Sequence, residues 1–69
     1  MKKMMMTVIS YETKKGDRYL AYYTYKSVEE AQKEADALNT EKPIKMWNGE
    51  KIDWNEINRF YVKRQEEMY

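Results

Sequence analysis

The chain has 69 residues, of which 36% are charged and 14% are aromatic, and it contains no Cys and no His. A chain of this length is too short for two independent hydrophobic cores, so we expect one domain over residues 1–69 whose stability is marginal. Thirteen basic and twelve acidic residues give a net charge of +1, which excludes the strong positive field of many nucleic-acid-binding proteins. The absence of Cys and His excludes disulfides and the soft-metal sites that need these residues.

The N-terminal segment places Lys2 and Lys3 ahead of a short apolar stretch, residues 4–9, that Thr7 interrupts. This stretch is shorter than the hydrophobic region of a signal peptide, and no apolar run in the chain has the length that crosses a bilayer. We therefore expect no export signal, no membrane association and a cytoplasmic location.

A β-hairpin is predicted next along the chain. Met4–Thr13 is rich in residues that favour strands, residues 18–26 are rich in tyrosine, and Gly16 lies in the turn between them. Strict alternation along the second strand places Tyr19, Ala21, Tyr23 and Tyr25 on one face and Leu20, Tyr22 and Thr24 on the other. Because large side chains occupy both faces, we expect one covered and one uncovered aromatic face.

A helix is predicted to begin after Ser27. In the stretch 27–30, Ser-Val-Glu-Glu, the Ser27 side chain can accept a hydrogen bond from the Glu30 amide, as in a capping box. Apolar residues then recur at helical spacing, and Asn39 and Pro43 indicate the end of the helix. The apolar stripe consists of Val28, Ala31, Ala35 and Leu38. Because two of its members are alanines, the helix can pack closely on the sheet but can cover only one face.

The Asn48-Gly49 dipeptide predicts a second hairpin, with a type I′ turn between residues 43–47 and 50–52. Residues 53–57 are then predicted to form a helical turn and residues 58–64 a strand, although the apolar spacing of this region also fits a helix. The predicted fold class is therefore α+β, with a small antiparallel sheet and one helix packed on one face. The predicted element order is ββαβββ, with ββαββα as the alternative.

Few residues of this chain are suited to catalysis. Without His or Cys there is no side chain of neutral pKa to act as a base and no thiolate. Ser27 is explained as a helix cap and Ser10 has no adjacent base, while Asp53 and Glu56 are explained as cap and turn residues. We therefore expect no enzymatic activity, no metal site and no cofactor.

The aromatic content indicates a binding function instead. The chain has seven Tyr, two Trp and one Phe, more than the core of one small domain needs. Tyr, Trp and Arg are the residue types that contribute most to protein interfaces, and basic residues flank the predicted aromatic strands. The candidate binding residues are Arg18, Tyr19, Tyr22, Tyr23, Tyr25, Trp47, Trp54, Arg59, Lys63 and Arg64.

Three kinds of partner could bind an uncovered aromatic face. A second copy of the chain would bury the face and add stability, which predicts a homo-oligomer, and a different protein could bind the same residues. A nucleotide or single-stranded nucleic acid could stack its bases on tyrosines while Arg or Lys holds phosphate. The near-zero net charge argues against the last option, although the six basic and two acidic side chains of residues 1–26 keep it open.

In composition the chain resembles small proteins encoded by phages and mobile elements of low-GC Gram-positive bacteria, which are short, rich in Lys, Glu, Tyr and Asn, and free of Cys and His. The segment 47–54, Trp-Asn-Gly-Glu-Lys-Ile-Asp-Trp, is similar to a turn found in many of them. This resemblance implies a role in host takeover or counter-defence. The resulting hypothesis is a non-catalytic inhibitor of a host protein, with sequestration of a nucleotide or nucleic acid as the alternative.

Overall fold

The computed structural model describes residues 4–46 and 49–68. Over these residues the chain forms β1 (Met4–Thr13), β2 (Arg18–Thr24), α1 (Val28–Glu41) and β3 (Ile57–Met68). The strands form one antiparallel sheet in the order β2-β1-β3, and α1 packs on one side of it. The predicted α+β class, with a small antiparallel sheet and one helix on one face, is confirmed.

The first hairpin is formed as predicted, and residues 14–16 make a three-residue loop that the Thr13–Asp17 pair closes. The Thr13 amide donates to the Asp17 carbonyl at 2.8 Å, and the Gly16 amide donates back to the Thr13 carbonyl at 3.0 Å. Gly16 has a φ of 93°, a left-handed conformation that glycine adopts without steric cost. A turn followed by a left-handed glycine is a common way to close a three-residue hairpin loop.

The second hairpin is much smaller than predicted. Its paired residues are reduced to one isolated bridge between Lys45 and Lys51, so the element order within the described residues is ββαβ and not ββαβββ. One reason lies at the outer edge of β3, where the Asn39 side chain already bonds both backbone groups of Phe60. The 43–52 segment therefore does not join the sheet as a further strand, and it contributes side chains to the core instead.

The predicted type I′ turn of this small hairpin includes Asn48, so its turn type stays a prediction. The Met46 amide donates to the Glu50 carbonyl at 2.8 Å, and the Gly49 amide donates to the Met46 carbonyl at 2.9 Å. Gly49 has a φ of 86°. Trp47 and Asn48 lie outside the described residues.

The C-terminal region follows the preferred of the two predictions. The amides of Glu56 and Ile57 both donate to the Asp53 carbonyl at 3.0 Å, which makes one helical turn. The chain then continues as β3, which is longer than the predicted strand 58–64. The alternative C-terminal helix does not form.

Helix α1 is capped at both ends. The Ser27 hydroxyl accepts a hydrogen bond from the Glu30 amide at 3.2 Å, as the capping-box pattern predicted. At the other end, Lys42 adopts a left-handed conformation with a φ of 47°, and its amide donates to the Leu38 carbonyl at 2.9 Å. Helix α1 therefore runs two residues past Asn39 and stops just before Pro43.

The core lies between α1, the 43–57 segment and one face of the sheet. Ala31 and Ala35 are fully buried against it and Leu38 packs at its border, whereas Val28 in the first turn remains 42% exposed. The predicted stripe therefore contacts the sheet from Ala31 onward. The buried core residues are Ile9, Tyr22, Ala31, Ala35, Met46, Ile52 and Phe60.

Three register shifts, at Ala21 of β2 and at Asn58 and Lys63 of β3, decide which side chains face this core. The pairing of β1 with β2 shifts after Ile9, which makes Ala21 an extra residue of β2, and a similar shift makes Lys63 an extra residue of β3. Because of the first bulge, strict alternation is wrong for β2. Tyr19 shares the core side with Tyr22, and Tyr23 lies on the other side.

Candidate binding surface

The sheet face opposite α1 is the candidate binding surface, and we call it the open face. Its residues follow from the register of the three strands, because β1 itself is regular and alternates between the two faces. Three rows of paired residues cross it from β2 through β1 to β3. They are Arg18–Glu12–Arg59, Leu20–Ser10–Tyr61 and Tyr23–Val8–Arg64, and Glu66 follows Arg64 on β3.

The ring of Tyr61 contacts arginines from both edge strands of the sheet. The guanidinium carbon of Arg59 lies 5.3 Å from the centre of this ring, and that of Arg18, from the opposite edge strand, lies 5.8 Å from it. Both distances are within the range of a cation–π interaction. Arg18 and Tyr61 therefore meet above the central strand and join the two edges of the sheet.

This arrangement explains an unusual burial pattern. Val8 and Ser10 are only 1% and 2% exposed, although among the described residues no further helix or strand packs over this face. They are small residues on the central strand, flanked on both sides by long side chains that include Tyr23 and Tyr61. The described aromatic side chains of the open face, Tyr23 and Tyr61, are therefore half-buried, and this face is not a row of exposed tyrosines.

Ion pairs set the charge pattern of the open face. Arg59 bonds Glu12 at 3.2 Å, and Arg64 bonds Glu66. Arg18 makes no ion pair within residues 4–46 and 49–68, and its guanidinium lies over the Tyr61 ring. The face thus carries three arginines and two glutamates, with one guanidinium free to meet an acidic group from outside.

The candidate residues predicted from the sequence are separated by the fold. Four of them, Arg18, Tyr23, Arg59 and Arg64, lie on the open face, with Lys63 beside them in the β3 bulge. Tyr25 lies past the end of β2 and is 70% exposed. On the core side are Tyr19, Tyr22 and Trp54, and Trp47 lies outside the described residues.

Tyr22 and Trp54 have clear structural roles. Tyr22 is 8% exposed within the core, and the indole nitrogen of Trp54 donates to the Pro43 carbonyl at 2.7 Å while its ring packs edge-on against Phe60. Neither residue reaches the open face. The prediction missed Tyr61, although the period of two in the Arg59-Phe60-Tyr61 stretch already places Tyr61 beside Arg59 and opposite the buried Phe60.

A second electrostatic cluster lies at the border of the core side. The Tyr22 hydroxyl donates to one carboxylate oxygen of Glu34 at 2.7 Å, and the Lys26 ammonium donates to the other at 2.5 Å. Burial alone would raise the pKa of Glu34, but the hydrogen bonds from Lys26 and Tyr22 and the charge of Lys26 outweigh it and lower that pKa below 4.5.

The same contacts act on the two partners of Glu34. The hydrogen bond and the negative charge of Glu34 raise the pKa of Lys26. Burial, followed by the hydrogen bond and the charge of Glu34, raises the pKa of the Tyr22 hydroxyl. All three groups therefore keep their usual charges over the neutral range, and the cluster joins α1 to β2.

Comparison with family models, curated proteins and solved structures found no significant match to this chain, and the function of the open face is therefore inferred from its geometry. No helix in the described part of the chain has the length and apolar character needed to cross a membrane. The same residues contain no cluster of three acidic side chains placed to hold a metal ion.

Proposed function

We propose that this protein is a non-catalytic binding protein that holds a protein partner on the open face. The contact of Arg18 and Arg59 with the Tyr61 ring, at 5.8 and 5.3 Å, is the observation that supports this most directly. An arginine already held against an aromatic ring loses less side-chain freedom when it binds a carboxylate, so its binding costs less entropy. Interfaces are enriched in Arg and Tyr for related reasons.

The charge pattern favours a partner with an acidic surface. Arg18 is available for a carboxylate of the partner, whereas Arg59 and Arg64 are already paired with glutamates. Leu20, which is 52% exposed in the same row as Tyr61, supplies apolar area next to Arg18. A carboxylate beside an apolar group on the partner would therefore match this part of the face.

A protein partner fits the open face better than a single-stranded nucleic acid does. Base stacking needs an exposed ring, and the described aromatic residues of this face, Tyr23 and Tyr61, are both half-buried. Two guanidinium groups already lie near the ring of Tyr61. Stoichiometric inhibition of a host protein, which the resemblance to phage-encoded proteins implies, is the form of binding that we propose.

The experiment is a comparison of two double variants in an affinity purification from cell extract. The test variant combines Arg18→Ala with Tyr23→Ala on the open face, and the control combines Lys33→Ala on the exposed side of α1 with Tyr25→Ala. Each pair removes one basic and one tyrosine side chain. We expect one dominant protein partner whose recovery falls about tenfold or more with the test variant and is unchanged with the control.

Salt and nuclease treatment complete this test. A protein interface with an apolar centre should persist after nuclease digestion and at about 0.5 M salt, which is above the roughly 50–200 mM range over which phosphate contacts weaken. Equal recovery with both double variants would contradict the open face as the binding surface. Loss of the captured material on nuclease treatment would contradict a protein partner.

A further inference from the structure

A cavity of about 470 Å³ lies on the core side of the sheet, away from the open face, between the turn of the first hairpin and the 51–57 segment. Small-molecule sites commonly have volumes of roughly 300–1,000 Å³. Helix α1 does not line this cavity, so it is separate from the helix–sheet core. We propose that it binds a nucleotide whose base carries an exocyclic amino group.

Two hydrogen bonds donated by backbone amides stabilise the walls of the cavity. The Lys14 amide of the hairpin turn donates to the Glu56 carbonyl at 2.8 Å, which ties the two walls together. Within the second wall, the Asn55 amide donates to a carboxylate oxygen of Asp53 at 3.0 Å. Because both loops are fixed by such bonds, the cavity exists before any ligand binds, and little ordering has to accompany binding.

One wall of the cavity is aromatic. The rings of Tyr19 and Tyr11 lie 5.6 Å apart, and the Tyr11 ring lies 5.7 Å from that of Phe60 in the core. Tyr19 is thus supported from the core side and is still 51% exposed. A supported ring with an accessible surface is suited to stacking against a planar heterocycle such as a nucleobase.

The cavity is lined by charged side chains of both signs. It is lined by three lysines, Lys14, Lys15 and Lys51, together with carboxylates. None of the three lysines makes an ion pair within the described residues. A ligand that satisfies both kinds of group must carry an anion for the ammonium groups and hydrogen-bond donors for the carboxylates. A nucleotide with an amino-bearing base has a phosphate, an amino group and a planar ring in one molecule.

The cavity also offers polar groups for the base. Asp17 and Glu56 line it from opposite walls, and their carboxylates can accept hydrogen bonds from an exocyclic amino group. The Asn55 side chain can donate and accept at a ring nitrogen. In this arrangement Tyr19 stacks on the base, a carboxylate accepts a hydrogen bond from the amino group of the base, and the lysines bind the phosphate.

The test is a titration with AMP followed by amide chemical shifts of the isotope-labelled protein. We expect shifts concentrated at residues 14–19 and 51–57. Adenosine, which lacks the phosphate, and IMP, which lacks the amino group, should each bind about tenfold more weakly, as expected when one charge-assisted hydrogen bond is lost. Absence of shifts at millimolar AMP would overturn the proposal, and so would shifts confined to the open face.

Variants make the assignment specific. Lys51→Ala should weaken AMP binding about tenfold while leaving the affinity for adenosine unchanged, because only the phosphate contact is lost. Tyr19→Ala should weaken both ligands, and Tyr25→Ala, which removes an exposed tyrosine outside the cavity, should affect neither. If Tyr19→Ala reduces stability, the AMP affinities of the wild type and of Lys51→Ala still test the proposal. Equal affinities of these two proteins would contradict the phosphate site.

Discussion

At the scale of single residues, Glu34 shows how one carboxylate can connect two elements. It accepts a hydrogen bond from the Tyr22 hydroxyl at the edge of the core and another from Lys26 at the surface. A buried hydroxyl needs a partner, because an unsatisfied polar group in the core costs free energy. Glu34 accepts the hydrogen bond of the Tyr22 hydroxyl, and its carboxylate remains charged because the Lys26 ammonium balances the negative charge.

This contact predicts a specific dependence of stability on pH. Because the pKa of Glu34 in the folded protein lies below its ordinary value of 4.5, the stabilisation is complete above that value and is lost as the pH falls through the folded pKa. We therefore expect the free energy of unfolding of Glu34→Gln to decrease less steeply than that of the wild type as the pH falls. Urea denaturation from pH 2 to 7 measures this difference.

The control for this measurement is Glu56→Gln, since Glu56 is exposed and its side chain makes no ion pair within the described residues. It should retain the acid-side slope of the wild type. The same slope in Glu34→Gln and wild type would show that Glu34 does not supply the stabilisation. The raised pKa values of Lys26 and Tyr22 predict a further loss of stability in the alkaline range, again coupled to Glu34.

At the scale of elements, α1 protects the outer edge of the sheet with a single side chain. The Asn39 amide group donates to the Phe60 carbonyl at 2.9 Å and accepts from the Phe60 amide at 2.7 Å. This pair of bonds resembles one step of strand pairing made by a side chain. An unpaired strand edge is a site of aggregation or strand addition, so the contact both anchors α1 and closes the edge beside the core.

We predict that Asn39→Ala lowers the free energy of unfolding by about 1–3 kcal/mol, because the Phe60 amide and carbonyl are left without their partner. Asn39→Asp should be intermediate, since it keeps an acceptor for the amide but offers no donor to the carbonyl. Thr40→Ala, at the next and exposed helix position, should change stability by less than about 0.5 kcal/mol. Urea unfolding of the three variants measures these differences, and equal effects at positions 39 and 40 would be inconsistent with the edge contact.

At the scale of the whole molecule, the sheet is longer than the layer that covers it. The described chain measures 43 × 21 × 21 Å. Residues 4–6 of β1 pair with the end of β3 but have no strand partner on the other side within the described residues, since β2 ends opposite Thr7. The sheet therefore continues beyond β2 as a two-stranded ribbon with two open edges.

This shape predicts unequal protection of backbone amides from hydrogen exchange. The amides of Ile9 and Tyr11, on the central strand beneath the core, should exchange at least about a hundredfold more slowly than those of residues 4–6. Comparison at low and high protein concentration tests the predicted homo-oligomer in the same experiment. Protection of residues 4–6 that rises with concentration would indicate that a second copy covers the ribbon, and protection that is uniform at all concentrations would contradict the predicted gradient.

Local signals in the sequence were sufficient for the main elements of this protein. The capping pattern at Ser27, the strand-forming residues of Met4–Thr13 and the turn glycine Gly16 act over a few neighbouring residues, and each predicted its element correctly. The two alanines of α1 also indicated a helix that covers one face of a small sheet. These features depend on backbone preferences and on spacing, which are properties of the chain itself.

Only the tertiary structure decided which tyrosines could serve a binding surface. The bulge at Ala21 moves Tyr19 to the side of Tyr22 and separates it from Tyr23, and such a bulge depends on the register with β1. Packing across the sheet brings Arg18 to Tyr61, two residues 43 positions apart on opposite edge strands. The sequence alone could show that Tyr and Arg are abundant, but the contacts that make a surface or a cavity of them form between strands, where the register and the bulges are set by the packing of the whole sheet.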